Sequence, residues 1–285
     1  MRILDVGNRG AVFEFDDPYL TNVYVINSID HIFICDTFCG PKSMDHIKTY
    51  VREIEASTKP IVVFNSHHHY DHIWGNCAFE DEIILATTQC KNEILNSGAE
   101  ALERYNSHMK GEVRILLPTD SFETSRFFSR DGVEFFHSPG HSADSASCFD
   151  KEDRILFVGD NVESPIPFLF SSDLTSYATT LKSYLDMDWG CYVPSHDPPS
   201  RARVLIEENL DYVEQLSVWD LRISRVSENA RIRHCSNLLE IAPGLGAELE
   251  VGSAREQYAD ALQFLEDKYY PEHEDMVVRF RKILS

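Results

Sequence analysis

The sequence predicts an α+β fold in which two β-sheets pack face to face with helices on their outer sides, followed by a helical C-terminal segment. Three observations carry this. Short apolar, β-branched runs recur through the first 200 residues. Segments with helical periodicity lie between them, and from Arg201 onward long helical patterns replace strands altogether.

Taken in order, the runs "AVFEF" (11–15), "NVYVI" (22–26) and "HIFICD" (31–36) read as strands. Pro41 then offers a helix start, and the stretch from Lys42 to Ala56 places Met44, Ile47, Tyr50, Val51 and Ile54 three and four apart, one apolar face of a helix. Strands follow at "IVVFN" (61–65) and "IILAT" (83–87), with a helix over 88–108. The second half repeats the theme with "GVEFFHS" (132–138), "SASCFD" (145–150) and "ILFVGD" (155–160), a helix from Thr175 to Met187, and "CYVPS" (191–195). The tail carries "VLIEENLDYVEQLSVWDLRI" and "SAREQYADALQFLEDKYY" as helices, with a turn at "APGLG" (242–246) between them. No internal repeat or low-complexity linker interrupts the chain, so a domain of residues 1–200 and a helical extension of 201–285 packed on it are expected.

Composition limits the function. With 43% apolar and 11% aromatic residues, the 285-residue chain can bury a sizeable core, and it has no apolar run of the roughly 18 residues that would span a bilayer. The first residues, "MRILDVGNRGAVFEF", do not resemble a secretory signal, so a cytoplasmic location is expected. Seven cysteines are scattered without a C-x-x-C pair, which argues against a disulfide framework and a zinc ribbon. A formal charge of −21 and the lack of a Lys/Arg-rich stretch disfavour nucleic acid and favour cations.

The chemistry concentrates in "NSHHHYDH" (65–72). Directly after a strand, His67 and His69 project to one side while His68 points away. Asp71 continues the alternation, and His72, if the chain turns into a helix, comes round to a second point. The stretch can therefore supply two ligands to each of two metals, with a loop of solvated imidazoles as the plain alternative. Eight residues cannot surround a metal alone. Further donors stand after later strands, in "SPGHSADS" with His141, "ILFVGDN" with Asp160 and "CYVPSHD" with His196.

This series, H-x-H-x-D-H and then a lone His, an Asp and a final His, resembles the metallo-β-lactamase superfamily over residues 1–200. The resemblance implies an αββα sandwich of two mixed sheets with flanking helices. It also implies two divalent metal ions, zinc foremost with iron or manganese as alternatives. Position by position, His67, His69 and His141 look like ligands of the first ion and Asp71, His72 and His196 of the second. Asp160 would bridge both. Asp36, ending "HIFICD", is similar to the family's early Asp, which orients ligands. Asp197 could do the same or cap a turn.

The chemistry so implied is hydrolysis by a metal-bridging hydroxide, with Asp71 and Asp160 as catalytic carboxylates. The substrate class is a small ester, thioester or lactone, as in glyoxalase II or lactonase relatives, a branch the motifs leave open. A phosphodiesterase, a β-lactam hydrolase and an iron-dependent oxidoreductase similar to sulfur dioxygenases are the alternatives. The loop "ESPIPFLFSSD" (163–173) offers Phe168 and Phe170 as pocket residues, although such residues more often pack a junction. His68 and His137 are expected to be bystanders, and Arg222, Arg225, Arg231 and Arg233 to form a salt-bridged helix surface. Neither nucleic acid nor membrane is an expected partner. A homo-oligomer contact, if one forms, is expected at the C-terminal helices.

Overall fold

The structure, a computed structural model, describes residues 1–54, 59–244, 252–269 and 271–285. The chain divides into two compact units: Met1–Pro139, Asp144–Asn161 and Met187–Ala202 form the first, and Gly140–Ala143, Val162–Asp186 and Arg203–Ser285 the second. The second unit thus takes in two segments from within the expected 1–200 domain.

The first unit holds two mixed sheets. One has seven strands in sequential order, β1 (Arg2–Val6), β2 (Gly10–Phe15), β3 (Thr21–Asn27), β4 (Ile32–Cys35), β5 (Ile61–Phe64), β6 (Ile83–Thr87) and β7 (Asp120–Phe122). Pairing is antiparallel from β1 to β4 and parallel from β4 to β7. The other sheet has five strands, β8 (Ser125–Phe128), β9 (Val133–His137), β10 (Ala146–Asp150), β11 (Ile155–Gly159) and β12 (Cys191–Pro194), ordered β12-β11-β10-β9-β8. Only β11 and β12 run parallel.

Strand alternation builds two cores from the same strands. Val23, Val25, Ile32, Ile34 and Val63 face one way, onto Met44, Ile47 and Val51 of α1 (Pro41–Ile54) and Cys90 and Ile94 of α3 (Thr88–Arg104). Their neighbours Tyr24, Ile26, Phe33, Cys35, Val62 and Phe64 face the other way and meet Phe135, Cys148, Phe157 and Val193 of the five-stranded sheet. This is the face-to-face sandwich the sequence predicts, with helices on the outer side of the seven-stranded sheet.

Helix α1 starts at Pro41, and its described part ends at Ile54; the end expected at Ala56 lies outside the described residues. Helix α3 starts where the Thr87 hydroxyl accepts the Cys90 amide at 2.9 Å. It ends at Arg104 rather than continuing to 108, because Asn106–His108 tightens into a 3-10 turn.

The second unit is helical: α4 (Leu174–Asp186), α5 (Val204–Ser217), α6 (Arg231–Ile241), α7 (Ser253–Lys268) and α8 (Glu274–Leu284). The long helix expected over 204–223 stops at Ser217, where Trp219 takes a left-handed conformation (φ 56°) and its amide returns to the Leu216 carbonyl. Of the turn expected at 242–246, residues 245 and 246 lie outside the described residues, and Ala242–Gly244 forms a 3-10 turn. Tyr258, Ala261 and Leu265 of α7 and Val277 and Phe280 of α8 are fully buried. As expected, Arg222 pairs with Glu256 and Asp260, and Arg225 with Asp220. Arg231 and Arg233 instead donate to backbone carbonyls, of Val226 and Ile166 among others. No described helix is long and apolar enough to cross a membrane.

Candidate metal centre

In the first unit the candidate donors gather at the carboxyl ends of strands. Asp36 follows β4, the stretch from Asn65 to His69 follows β5, Asp160 follows β11 and His196 follows β12. Parallel pairing sets Cys35 beside Phe64, so the residues leaving β4 and β5 emerge together. The chain then turns at Tyr70–Ile73 into a short helix, α2, which swings His72 back beneath His67, with ring centroids 4.2 Å apart. Close approach of backbones makes this possible: a Cβ on Gly75 would lie 2.1 Å from the Thr37 carbonyl. Gly159 has a left-handed φ of 58°, and a Cβ there would press on Ser66 at 3.1 Å, so glycine is favoured in the position before Asp160.

Two groups of donor atoms result. Asp71, His72 and His196 each offer an atom within 4.8 Å of the others, and so do His67, His69 and Asp160. His72 Nε2 lies 3.4 Å from Asp71 Oδ2 and 3.3 Å from Asp160 Oδ1. His196 Nε2 lies 3.4 Å from Asp71 Oδ2 and 3.3 Å from Asp160 Oδ2. His67 Nε2 is 3.7 Å from Asp160 Oδ2 and 2.9 Å from His69 Nδ1. Ligands held at about 2.0–2.1 Å around a tetrahedral ion stand roughly 3.3–3.4 Å from one another. The Asp160 carboxylate turns Oδ1 toward His72 and Oδ2 toward His67 and His196. His72 Nε2 is buried without a hydrogen-bond partner. A buried imidazole nitrogen left this way is costly unless a cation takes its lone pair, so the residues fit a metal ion.

Hydrogen bonds at the far side of each ring set the tautomer. Asp36 Oδ2 accepts His72 Nδ1–H at 2.7 Å, and the Leu20 carbonyl accepts that of His196 at 2.7 Å. Ser66 Oγ donates to Asp36 Oδ2 at 2.8 Å and so receives His67 Nδ1–H at 3.0 Å. In all three Nδ1 carries a proton, and Nε2 is the atom turned into the cluster. Asp36, fully buried and left-handed (φ 66°), also accepts the Ser66 amide at 2.7 Å. Its carboxyl is raised from its ordinary value by burial, against the opposing charge and hydrogen bonds of His72 and Ser66.

Burial works against charge at Asp71 and Asp160 too, yet both carboxyls are held below their ordinary range. The imidazoles do this, His72 and His196 for Asp71 and His196, His72 and His67 for Asp160. His72 is raised well above its ordinary value: burial lowers it, but Asp160, Asp71 and Asp36 outweigh that.

Several residues that support this cluster carry no motif of their own. Asn65 and Asn76 exchange side-chain hydrogen bonds at 3.0 and 2.8 Å, and the Thr37 amide and hydroxyl both donate to the His72 carbonyl, at 2.8 and 3.0 Å. Tyr19 packs edge-on to the His196 ring at 5.5 Å, and its hydroxyl meets that of Tyr70 at 2.5 Å, which in turn meets His108 Nδ1 at 2.8 Å. The Asp197 carbonyl accepts from Asn22 Nδ2 at 2.8 Å, tying the turn around His196 to β3.

His141 belongs to the second unit. Its Nδ1–H donates to the Phe168 carbonyl at 3.0 Å, its own carbonyl accepts the Phe170 amide at 2.7 Å, and the Phe170 ring stands edge-on to it at 5.0 Å. Nδ1 thus carries a proton, as in the three histidines above. Phe168 is covered by the Arg233 guanidinium, 4.1 Å above its ring, whereas Phe170 is 48% exposed. The strap carrying both is braced by Asn237, which accepts the Leu169 amide at 3.1 Å and donates to the Pro167 carbonyl at 2.8 Å.

The sequence model described as Metallo-beta-lactamase superfamily matches residues 16–196. The chain is similar to the Beta-lactamase-like protein 2 homolog of Caenorhabditis elegans, at 26% identity over 210 residues, 72% of this chain and 65% of that protein. It thus spans just under two thirds of that relative's length. In fold it is similar to the metallo-beta-lactamase from Pontibacter korlensis, with a TM-score of 0.59 and 16% identity over 75% of this chain and 98% of that one. The metallo-beta-lactamase from Hirschia baltica gives a TM-score of 0.54 and 18% identity over 74% of this chain and 96% of that one.

Proposed function

The chain belongs to the metallo-beta-lactamase superfamily, and on that premise we propose that it is a dinuclear metal-dependent hydrolase acting on a small ester, thioester or lactone. The observation that carries the reading is the buried His72 Nε2, without a hydrogen-bond partner and 3.3–3.4 Å from two carboxylate oxygens. In the first unit His67 and His69 would hold one ion, and Asp71, His72 and His196 the other, with the Asp160 carboxylate facing both sets. Nitrogen and carboxylate donors without thiolate suit zinc and also admit iron or manganese.

When bound, the ions supply Lewis acidity toward a carbonyl oxygen and draw the pKa of water at the site toward neutrality. The chain's own part is to aim and hold its ligands. Asp36, Ser66 and the Leu20 carbonyl hold the Nδ1 protons of His72, His67 and His196, so the Nε2 atoms stay turned inward. Asp71 and Asp160, both kept ionised by the surrounding imidazoles, would serve as anionic ligands that hold the ions in place. A net charge of −21 repels polyanions, which supports a small acyl substrate over a nucleic acid, and the exposed Phe170 ring beside His141 supports some apolar character.

The test is a panel of thioesters, lactones, esters, phosphodiesters and β-lactams, run with elemental analysis of protein purified without added metal. Acyl-ester turnover with two metal ions per chain is expected. Turnover confined to phosphodiesters or β-lactams would overturn the substrate class. Iron content with oxygen consumption and no hydrolysis would overturn the reaction.

A further inference from the structure

His68 lies between two proposed ligands and, by strand alternation, points away from them. It does not end in solvent. The Asp144 side chain, from a residue only 1% exposed, accepts the His68 amide on Oδ2 at 2.9 Å and meets His68 Nδ1 through Oδ1 at 2.9 Å. Burial would lower the basicity of this imidazole, but the hydrogen bond and charge of Asp144 raise it.

Asp144 is itself anchored. Its carbonyl accepts the Thr87 hydroxyl at 3.0 Å, and the same hydroxyl oxygen caps α3 by accepting the Cys90 amide. Two residues on, the Ala146 amide donates to the Ser66 carbonyl at 2.7 Å. The carboxylate therefore ties the one residue separating His67 from His69 to the first turn of α3. The backbone torsions of residue 68 set the angle between the two neighbouring imidazoles, so a clamp on its amide and ring fixes how both present their nitrogens.

We propose that Asp144 is a positioning residue of the metal centre, acting through His68 to hold His67 and His69 in register for one ion. This rests on the reading of those two histidines as ligands. His68 is then half of the clamp.

The full-length chain and its Asp144→Ala, Asp144→Asn and His68→Ala variants, stripped of metal, are titrated with zinc against a chromophoric chelator. Each is also loaded with cobalt for its visible spectrum and melted metal-free. Asp144→Ala is expected to lose about 10–100-fold in affinity for the more tightly bound ion and to shift the cobalt bands. Asp144→Asn, whose oxygen still accepts the amide, should lose less, and His68→Ala, which keeps the amide bond, less again. Affinity and cobalt spectrum unchanged in Asp144→Ala would overturn the proposal, even if metal-free melting falls, because that pattern marks a purely structural side chain. If Asp144→Ala is not recovered soluble, Asp144→Asn decides: a loss of affinity at unchanged metal-free melting supports the clamp, and wild-type affinity refutes it. An unaltered chain that binds no zinc would instead refute the ligand assignment.

Discussion

His234 on α6 should make stability depend on pH in a way that can be isolated. His234 is 1% exposed, and its Nδ1 lies 3.0 Å from the Tyr212 hydroxyl, whose oxygen accepts Asn237 Nδ2 at 3.0 Å. Burial lowers the pKa of this imidazole to about 4. The unfolded chain binds the proton near pH 6.5. Because the folded value is the lower one, stability is complete above about pH 6.5 and is lost as pH falls through the window toward about 4. At about 1.4 kcal/mol per pH unit across that window, the loss is ~3 kcal/mol. Urea unfolding of the metal-free chain and of His234→Gln, from about pH 7.5 to about pH 4.5, measures it. All carboxylates titrate alike in both proteins and cancel. The stability advantage of the unaltered chain should shrink by about 2–3 kcal/mol across the range, and a pH-independent difference would refute the reasoning. The consequence is local as well, since Asn237 also holds the strap of Pro167 and Leu169.

Other outcomes follow from the same geometry. Asp160→Ala, which removes the carboxylate facing both donor groups, should lose bound metal and hydrolytic activity together; elemental analysis showing two ions per chain would contradict the shared-ligand role. Dialysis against a strong chelator should abolish hydrolysis, and zinc should restore it, as followed on the best substrate of the panel. Gly159→Ala forces a side chain into a left-handed residue against Ser66 and should cost ~1–3 kcal/mol in urea unfolding. Phe135→Ala empties the space between Phe33 and Phe64, whose ring centroids lie 5.5 and 4.6 Å away, and should cost about 3–5 kcal/mol.

The strands most legible in the sequence are those whose runs are apolar throughout, such as β4, β5 and β11, because burial on both faces leaves no polar positions. Three strands escaped, β1, β7 and β8, and all three lie at sheet edges. An edge strand such as β8 exposes Ser125, Arg126 and Phe127, so its pattern is that of a loop. The long helix drawn over 204–223 failed for a related reason: periodicity persists past Ser217, and only the left-handed Trp219 ends the helix.

By itself the sequence determined the order and chemical type of the donors and the sandwich that carries them, since strand alternation and a nitrogen and carboxylate series are written locally. The tertiary structure decided which far side of each imidazole is held, and by what. Asp36 under His72, the Leu20 carbonyl behind His196 and Asp144 on His68 are contacts between residues as much as 176 positions apart in the chain. Hydrogen bonds of that kind follow from where strand ends converge, and no local pattern encodes them.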